Sequence, residues 1–530
     1  MTIQQELTDL KSRCMAKKRE VIFDNDGGDV FYYSENVSAE NLLASRTKPA
    51  LDAGLDTYVY TTGWGFGIGL HNSTVGSMLT TKRGIAKDNK TGDYAKMGTD
   101  CLRITADYVK ARGKEFFWGM RMNDTHDAGY EGIHFEDNRF KIENPDILLG
   151  KNIKHGAPTA VDYASEKVRA FGVKYISEVI DSYNPDGVML DFFRHPVFFR
   201  STGAGLKSTD HERECMTSFI KNVYEAINDR RIRDKKYYLI SIRVPDSVEY
   251  SYDIGLDLIE WFERGYIDIL FVSSYLQFNR WEYSVETAHK YGIPVYPSLD
   301  ESRVRSEFPR YKRNCLPAYL GRIMNVWSAG CDGVLMFNNS GLRDPYHDVV
   351  PNDWFDKDSG DFRLALEATM KGKTAVNTMT KRYFTSFRGS GRVAGGALPH
   401  MEYIKIPVLN KYDPIYASVN EKSYIPIVIS DDFKNVVPKV LFTVMVSEEP
   451  SDMILTINGY PVEFSCSEFK SDGNKSETIE YMLQGELSID IIGTGENMFC
   501  ITGQNIIIYD LWLDLIYDNK RQDYVQLDKN

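Results

Sequence analysis

The stretch Pro185-Asp-Gly-Val-Met-Leu-Asp-Phe-Phe-Arg-His-Pro196 decides how the rest of the chain is read. Gly187 to Leu190 is a short apolar run behind a turn, the pattern of a buried parallel strand. Asp191, Phe192, Phe193, Arg194 and His195 follow at once, and Pro196 stops the strand. A carboxylate at the carboxyl end of a buried strand is where α/β folds place their chemistry. Alternation puts Met189 and Asp191 on one face and Val188 and Leu190 on the other. The alternative reading is an aspartate that caps the next element or pairs with an arginine.

Working outward, the same unit recurs. Ala53 to Tyr60, Gly265 to Val272 and Gly330 to Phe337 each open on a turn carrying an aspartate and continue as an apolar run. Amphipathic helices lie between such runs. One spans Asp162 to Tyr183 with Val168, Phe171, Tyr175 and Val179 on a stripe; another spans Asp210 to Arg230 with Met216, Ile220, Val223 and Ile227. The strands expected are Val21–Phe23, Leu55–Thr61, Phe116–Met122, Gly187–Asp191, Tyr238–Val244, Ile267–Ser273, Pro294–Leu299 and Gly333–Phe337. Eight strands alternating with helices predict an α/β fold, a (β/α)8 TIM barrel, with a doubly wound open sheet as the competitor. The segments after the strands are unequal. Thr62 to Tyr94 and Asn123 to Ala160 are long and rich in Gly, Asn, Asp, His and aromatics, as expected where a barrel carries its site.

Beyond about residue 340 the character changes. Asp344 to Asp361 is acidic and turn-rich, and Phe362 to Met370 reads as the last barrel helix. Gly389 to Gly396 reads as a linker. From Met401 onward, β-type alternation over Tyr424–Ile429, Lys439–Val446, Met453–Asn458, Glu486–Ile492 and Asn505–Tyr517 predicts an all-β sandwich. The expected division is a catalytic barrel over 1–388 and an accessory β-domain over 389–530.

Composition narrows the function. A net charge of −12 argues against a nucleic-acid partner, which would require a basic face. No apolar run approaches the roughly 20 residues a membrane helix needs, so no membrane partner is expected. The seven cysteines are scattered and never spaced as C-x-x-C, which fits a reducing compartment and neither a disulfide framework nor a zinc site. Met1 to Glu20 is polar and lacks a signal-peptide core, so the chain as written reads as cytoplasmic, and as periplasmic or secreted if a leader was trimmed. The 33 Tyr, 27 Phe and 7 Trp exceed what a core requires and suit sugar-stacking clefts.

Strand ends supply the candidate chemistry. Carboxylates fall at Asp24 and Asp26, Asp124 and Asp127, Asp191, Asp246 and Glu249, and Asp300 and Glu301. Arg121 and Arg243 lie on the strands flanking the one that ends in Asp191, on the parity that faces the barrel axis. Both guanidiniums are therefore expected to approach Asp191 and keep it ionised, as a nucleophile or base must be. A satisfied structural ion cluster is the competing reading. A second carboxyl group, kept protonated by an apolar setting, would complete the pair; Glu301 and Asp300 are the preferred suppliers, with Asp124 and Asp246 as alternatives. Substrate contacts are expected from Asp24, Asp26, Trp64, Arg121, Asp124, His126, Arg194, His195, Arg243, Asp246, Tyr275 and Asn338. Arg121, Arg194 and Arg243 crowd one mouth, which favours an acidic or sulfated sugar.

The Asp-Gly-Val-x-Leu-Asp-Phe-x-Arg-x-Pro pattern over 186–196 resembles the fourth-strand motif of glycoside hydrolases with family-10-like or amylase-like barrels. Ser241-Ile-Arg-Val-Pro-Asp246 followed by Gly255-Leu-Asp-Leu-Ile-Glu-Trp261 resembles the same group, and the likeness covers roughly residues 20 to 340. It implies an O-glycosyl hydrolase with the fourth-strand aspartate, Asp191, as a catalytic group, and an accessory β-domain of the kind such enzymes often carry. The chain departs from xylanase-type members, which place an Asn-Glu pair after strand four.

Two rival classes are weighed. Val21-Ile-Phe-Asp24-Asn-Asp26-Gly-Gly resembles the opening of haloacid-dehalogenase-type phosphatases, which would use Asp24 and Asp26 with Mg²⁺. Gly28 stands where those enzymes have Thr, and no set of further acidic ligands is evident in the sequence. A non-catalytic carbohydrate-binding protein would keep the aromatics without needing a charged cluster at Asp191. No metal or cofactor is expected, since the nine histidines form no H-x-H or H-E-x-x-H.

Overall fold

The computed structural model describes every residue except 1, 33–35, 129–134, 274–276, 300–315, 338–360, 386–400, 411–412, 435, 470–479 and 518–530. The chain forms two compact units. Residues 1–300, 331–349 and 391–404 make one, and 301–330, 350–390 and 405–530 make the other.

The first unit is a (β/α)8 barrel. Its strands are β1 (Val21–Asn25), β2 (Thr57–Gly63), β3 (Glu115–Arg121), β4 (Gly187–Asp191), β5 (Leu239–Val244), β6 (Ile269–Val272), β7 (Val295–Leu299) and β8 (Val334–Phe337). They close in the order β1-β8-β7-β6-β5-β4-β3-β2, and every pairing is parallel. The closed barrel expected from the sequence is thus observed, and the competing doubly wound open sheet is excluded.

Local sequence explains how β4 is reached. The helix Glu166–Tyr183 buries Val168, Tyr175, Ile176, Val179 and Ile180. Each such side chain contributes roughly 1.5–3 kcal/mol on leaving water. Asn184 ends the helix in a left-handed conformation (φ 47°), and Pro185 bars its continuation, so the chain turns directly into the strand. The next helix, Asp210–Asp234, starts from Thr209 and Glu212 in a reciprocal capping box.

One face of each strand fills the barrel. Ile22, Val59, Phe117, Met189, Leu239, Ile269, Phe271, Tyr296 and Leu335 form its apolar core. At the amino end, Arg19 and Thr57 satisfy Glu115 at 2.6 and 2.8 Å, and the helix Ile3–Met15 lays Leu10, Cys14 and Met15 against the core. At the carboxyl end the same inward parity turns polar: Asp24, Thr61, Arg121, Asp191 and Arg243 are all buried. Arg121, Asp191 and Arg243 are direct neighbours in register across β3, β4 and β5. Gly119 is required there, because a Cβ on it would run into the Thr61 hydroxyl.

The second unit is a β-sandwich. Its strands are β9 (Lys381–Phe384), β10 (Ile415–Ala417), β11 (Ser423–Ile429), β12 (Lys439–Val446), β13 (Ile454–Ile457), β14 (Tyr460–Pro461), β15 (Ser465–Phe469), β16 (Glu480–Leu487), β17 (Gly495–Thr502) and β18 (Ile506–Ile516). One antiparallel sheet runs β9-β18-β12-β16-β15 with β10 on β18, and the other runs β11-β17-β13-β14. Phe442 and Phe499 meet edge to face between the sheets, with centroids 6.2 Å apart. The strand expected over Glu486–Ile492 is displaced toward the amino end. The chain is extended over β16 and then turns at Ile489–Ile491, because the Ser488 hydroxyl accepts the Asp490 N–H. β17 was not anticipated from the sequence, since its first residues, Gly-Glu-Asn, read as a turn. The helix Asp361–Lys371, expected as the last of the barrel, falls in this second unit.

Candidate functional site

Asp191 ends β4, and its Oδ1 accepts the N–H groups of Phe193 and Arg194 at 2.9 and 3.1 Å. That Asx turn halts the strand and aims the other oxygen, Oδ2, toward Arg243 Nη1, 3.6 Å away. Arg243 also reaches Asp24 Oδ2 at 3.3 Å and Ser298 Oγ at 3.2 Å, with its guanidinium 4.3 Å from the Phe337 ring centroid. One cation from β5 thus joins carboxylates from β1 and β4.

Asp24 also accepts a 2.7 Å hydrogen bond from Thr61 Oγ1. Burial pushes its carboxyl up to about 7, against the pull of Arg243 and Thr61 and with a further push from the Asp191 charge. Asp246 is raised to about 7 as well, by burial against the pull of the backbone N–H groups of Asn279 and Phe278. Its oxygens accept those N–H groups at 2.9 to 3.0 Å, so it clamps the segment after β6 and makes no contact with the Arg243 group.

Arg121 departs from expectation. It stands level with Asp191 in the sheet, yet its guanidinium pairs with Asp124 at 2.9 Å and Asp26 at 3.5 Å. Asp124 lies three residues on, where the chain folds back over the strand end, and this carboxylate captures the fork first. Asp26 is held by Arg46 at 2.8 Å in addition. Trp64 is buried; its indole N–H donates to the Asp26 carbonyl, Arg121 lies 5.2 Å from its centroid and His126 stacks on it at 5.9 Å.

Asp124, His126 and His195 come together from the segments after β3 and β4. The Asp124 carboxylate contacts His126 Nδ1, accepts the His126 N–H at 2.9 Å and lies 3.6 Å from His195 Nδ1. Burial alone would raise Asp124, but the surrounding donors, His126 and Arg121, prevail and hold it well below the usual carboxylate range. Burial drives the His126 imidazole down to about 3, with Asp124 opposing and the Arg194 charge assisting. His195 is lowered by burial and by Arg194.

Among the described residues these three offer the one group with metal-ligand spacing, their donor atoms within 4.8 Å of one another. The set does not fit a cation. Arg194 Nη2 faces His126 Nε2 at 2.8 Å, the Thr125 N–H points at His195 Nδ1 at 3.1 Å, and Arg121 holds the outer oxygen of Asp124. His126 Nε2, His195 Nδ1 and the outer Asp124 oxygen thus each face a donor already, and two of those donors are guanidiniums, which a bound cation would have to displace.

Asp300, Glu301, Tyr275 and Asn338 lie outside the described residues. Thr61, Ser298 and Arg46 join the site without having been anticipated. For Thr61 and Ser298 the signal was present, since both share the inward parity of their strands; Arg46 comes from a segment with no strand pattern.

No family model matches the chain, and no curated protein matches it. Among solved structures it is similar to a cycloisomaltooligosaccharide glucanotransferase of Paenibacillus sp. complexed with cycloisomaltoheptaose, at 9% identity and TM-score 0.34, over 93% of this chain and 57% of that one. It is similar to a GH36 alpha-galactosidase of Geobacillus stearothermophilus at 12% identity and TM-score 0.33, over 89% of this chain and 56% of that one. A family GH18 chitinase of Chromobacterium violaceum is matched at 10% identity and TM-score 0.36, over 95% of this chain and 89% of that one. The chain spans little more than half the length of the first two. These are remote likenesses, and the barrel rests on its own eight parallel pairings.

Proposed function

We propose that the chain is a glycoside hydrolase acting on an oligo- or polysaccharide through carboxyl groups at the carboxyl face of its barrel. The observation that carries this reading is the Arg243 guanidinium set between Asp191 and Asp24. Glycoside hydrolysis needs one carboxylate to attack the anomeric carbon or activate water, and one carboxyl group to protonate the leaving oxygen. Asp191 suits the first role, since it ends β4 with Oδ1 fixed by the Phe193 and Arg194 N–H groups and Oδ2 turned toward Arg243. For the second, Asp24 is the described carboxyl in the same cluster with a proton available near neutrality. Glu301 and Asp300, which follow β7 in the sequence and lie outside the described residues, remain the other candidate suppliers.

The substrate class is a carbohydrate. The expected preference for an acidic sugar draws no support from Arg121 and Arg243, which are already paired with carboxylates of the chain. A phosphatase reading that uses Asp24 and Asp26 finds no support: β1 belongs to a closed barrel, and Asp26 is pinned by Arg46 and Arg121.

The test is a screen of neutral and acidic aryl glycosides and glycans with wild type, Asp191→Asn, Asp24→Asn, Asp300→Asn and Glu301→Gln. The proton donor is the residue whose loss matters least when the leaving group is 4-nitrophenolate and most when it is a sugar. Glycan binding without cleavage by wild type would favour a carbohydrate-binding protein instead. Near-normal turnover by a folded Asp191→Asn variant would sink the proposal.

A further inference from the structure

The hydrogen-bond partners of His126 determine which of its nitrogens carries the proton. Arg194 Nη2 lies 2.8 Å from His126 Nε2, and a guanidinium only donates, so Nε2 must be a bare acceptor. The proton then sits on Nδ1, which meets the Asp124 carboxylate. Asp124 is itself tied to Arg121 at 2.9 Å, and it also accepts the His126 backbone N–H at 2.9 Å. A carboxylate behind an imidazole, with a cation in front, is the arrangement by which metal sites orient a ligating histidine. Here the cation is a side chain of the protein.

The segment that carries Arg194 is the turn that orients Asp191. The Arg194 N–H donates to Asp191 Oδ1 at 3.1 Å, so any movement of Arg194 is passed to that carboxylate. The turn is held a second time one residue later. His195 sits at φ 55°, a conformation that a non-glycine residue keeps only where its surroundings enforce it, and its Nδ1 accepts the Thr125 N–H at 3.1 Å. Arg194 and His195, after β4, are thus both fastened to Thr125 and His126, after β3. The groups facing His126 are Asp124 and Thr125 on its own segment, Arg194 and His195 after β4, and Trp64 after β2.

We propose that His126 is a positioning residue: Asp124 holds its imidazole as the Nδ1–H tautomer, the bare Nε2 docks the Arg194 guanidinium, and that docking fixes the turn which aims Asp191. The kinetic part of this inference rests on the glycoside hydrolase reading; the tautomer part does not.

The two parts are tested separately on the full chain. Long-range proton–nitrogen spectra from about pH 5 to 8 should show His126 with Nδ1 protonated and Nε2 bare, unchanged across the range. His126→Asn places its amide near the Nδ1 position and abandons Arg194, whereas His126→Gln places an acceptor near the Nε2 position. The Arg194 guanidinium protons should exchange slowly in wild type and His126→Gln and rapidly in His126→Asn. On a 4-nitrophenyl glycoside that wild type cleaves, His126→Asn should lower kcat about 10- to 100-fold with KM little changed. His126→Gln should recover most of that loss, and His126→Asn combined with Arg194→Ala should be no slower than the worse single variant. A protonated Nε2, an imidazole titrating near 6.5, equal kcat losses in the Asn and Gln variants, or stoichiometric zinc lost in His195→Ala would each overturn the proposal. If wild type cleaves no glycoside, the function proposed above fails while the spectra still decide the tautomer.

Discussion

The Arg243 guanidinium lies 3.3 Å from the Asp24 carboxylate, although 219 positions separate the two in the chain. Both residues are almost wholly inaccessible, so neither charge is screened by water. Removing one partner of such a pair leaves the other buried without compensation, at a cost of about 3–5 kcal/mol. Arg243→Gln should therefore destabilise the barrel by about that amount in urea titration. Combining it with Asp24→Asn should restore part of the loss.

Acidity should reveal the Asp24 carboxyl. Its pKa in the folded state, about 7, lies above the ordinary 3.8, so the folded chain binds a proton that the unfolded chain releases between those two values. This group's cost to stability is absent at and below about pH 4, grows as pH rises and is complete above about pH 7. Asp246 follows the same course. Asp24→Asn should flatten the wild-type decline in unfolding free energy between about pH 4 and 7, and an unchanged profile would show that Asp24 does not titrate there.

Asp191→Asn keeps the volume and one acceptor for the two backbone N–H groups. Folding should survive with a loss of about 1–3 kcal/mol, because Arg243 keeps Asp24 as a partner. Turnover should fall by several powers of ten, on the order of 4–8 kcal/mol of transition-state stabilisation. Thermal melting and single-turnover kinetics on the same preparation separate the two effects.

Gly119→Ala should damage the site from a distance. The new methyl would meet Thr61 Oγ1, the donor that holds Asp24 at 2.7 Å. Overpacking of this kind costs about 1–3 kcal/mol. Gly119→Ala combined with Thr61→Ser, which retains the hydroxyl, or with Thr61→Ala, which removes it, should show in melting curves whether the methyl group or the hydroxyl is displaced.

The β-sandwich should depend on Lys381. Its ammonium, fully buried, donates to the carbonyls of Val376, Asn377 and Met379 and lies 2.9 Å from Asp431. Lys381→Met should cost about 3–5 kcal/mol. Mass spectrometry of fragments surviving limited proteolysis of the full chain should find β-rich pieces that begin ahead of Lys381. A stable piece beginning at 389 would support the boundary expected from composition.

Much of this architecture was legible in one dimension. Burial on both faces makes a parallel strand apolar along its length, so Gly187 to Leu190 declared itself, and the aspartate behind it marked the carboxyl end. Period-two alternation likewise put Arg121, Asp191 and Arg243 on the inward face, because that face follows from local geometry alone. In the sandwich the same logic weakened: its short strands bury one side only, and Glu486–Ile492 was misplaced where a serine hydroxyl competes for the backbone. Sharing a face does not decide pairing. That Arg243 serves both Asp191 and Asp24, while Arg121 turns to Asp124 and Asp26, depends on which strands close against each other and on how the following segments fold back over the strand ends. The tautomer of His126 belongs to the same category. A histidine and an arginine 68 positions apart acquire a shared hydrogen bond only when the tertiary fold sets their distance, and that distance leaves the imidazole no choice of which nitrogen to protonate.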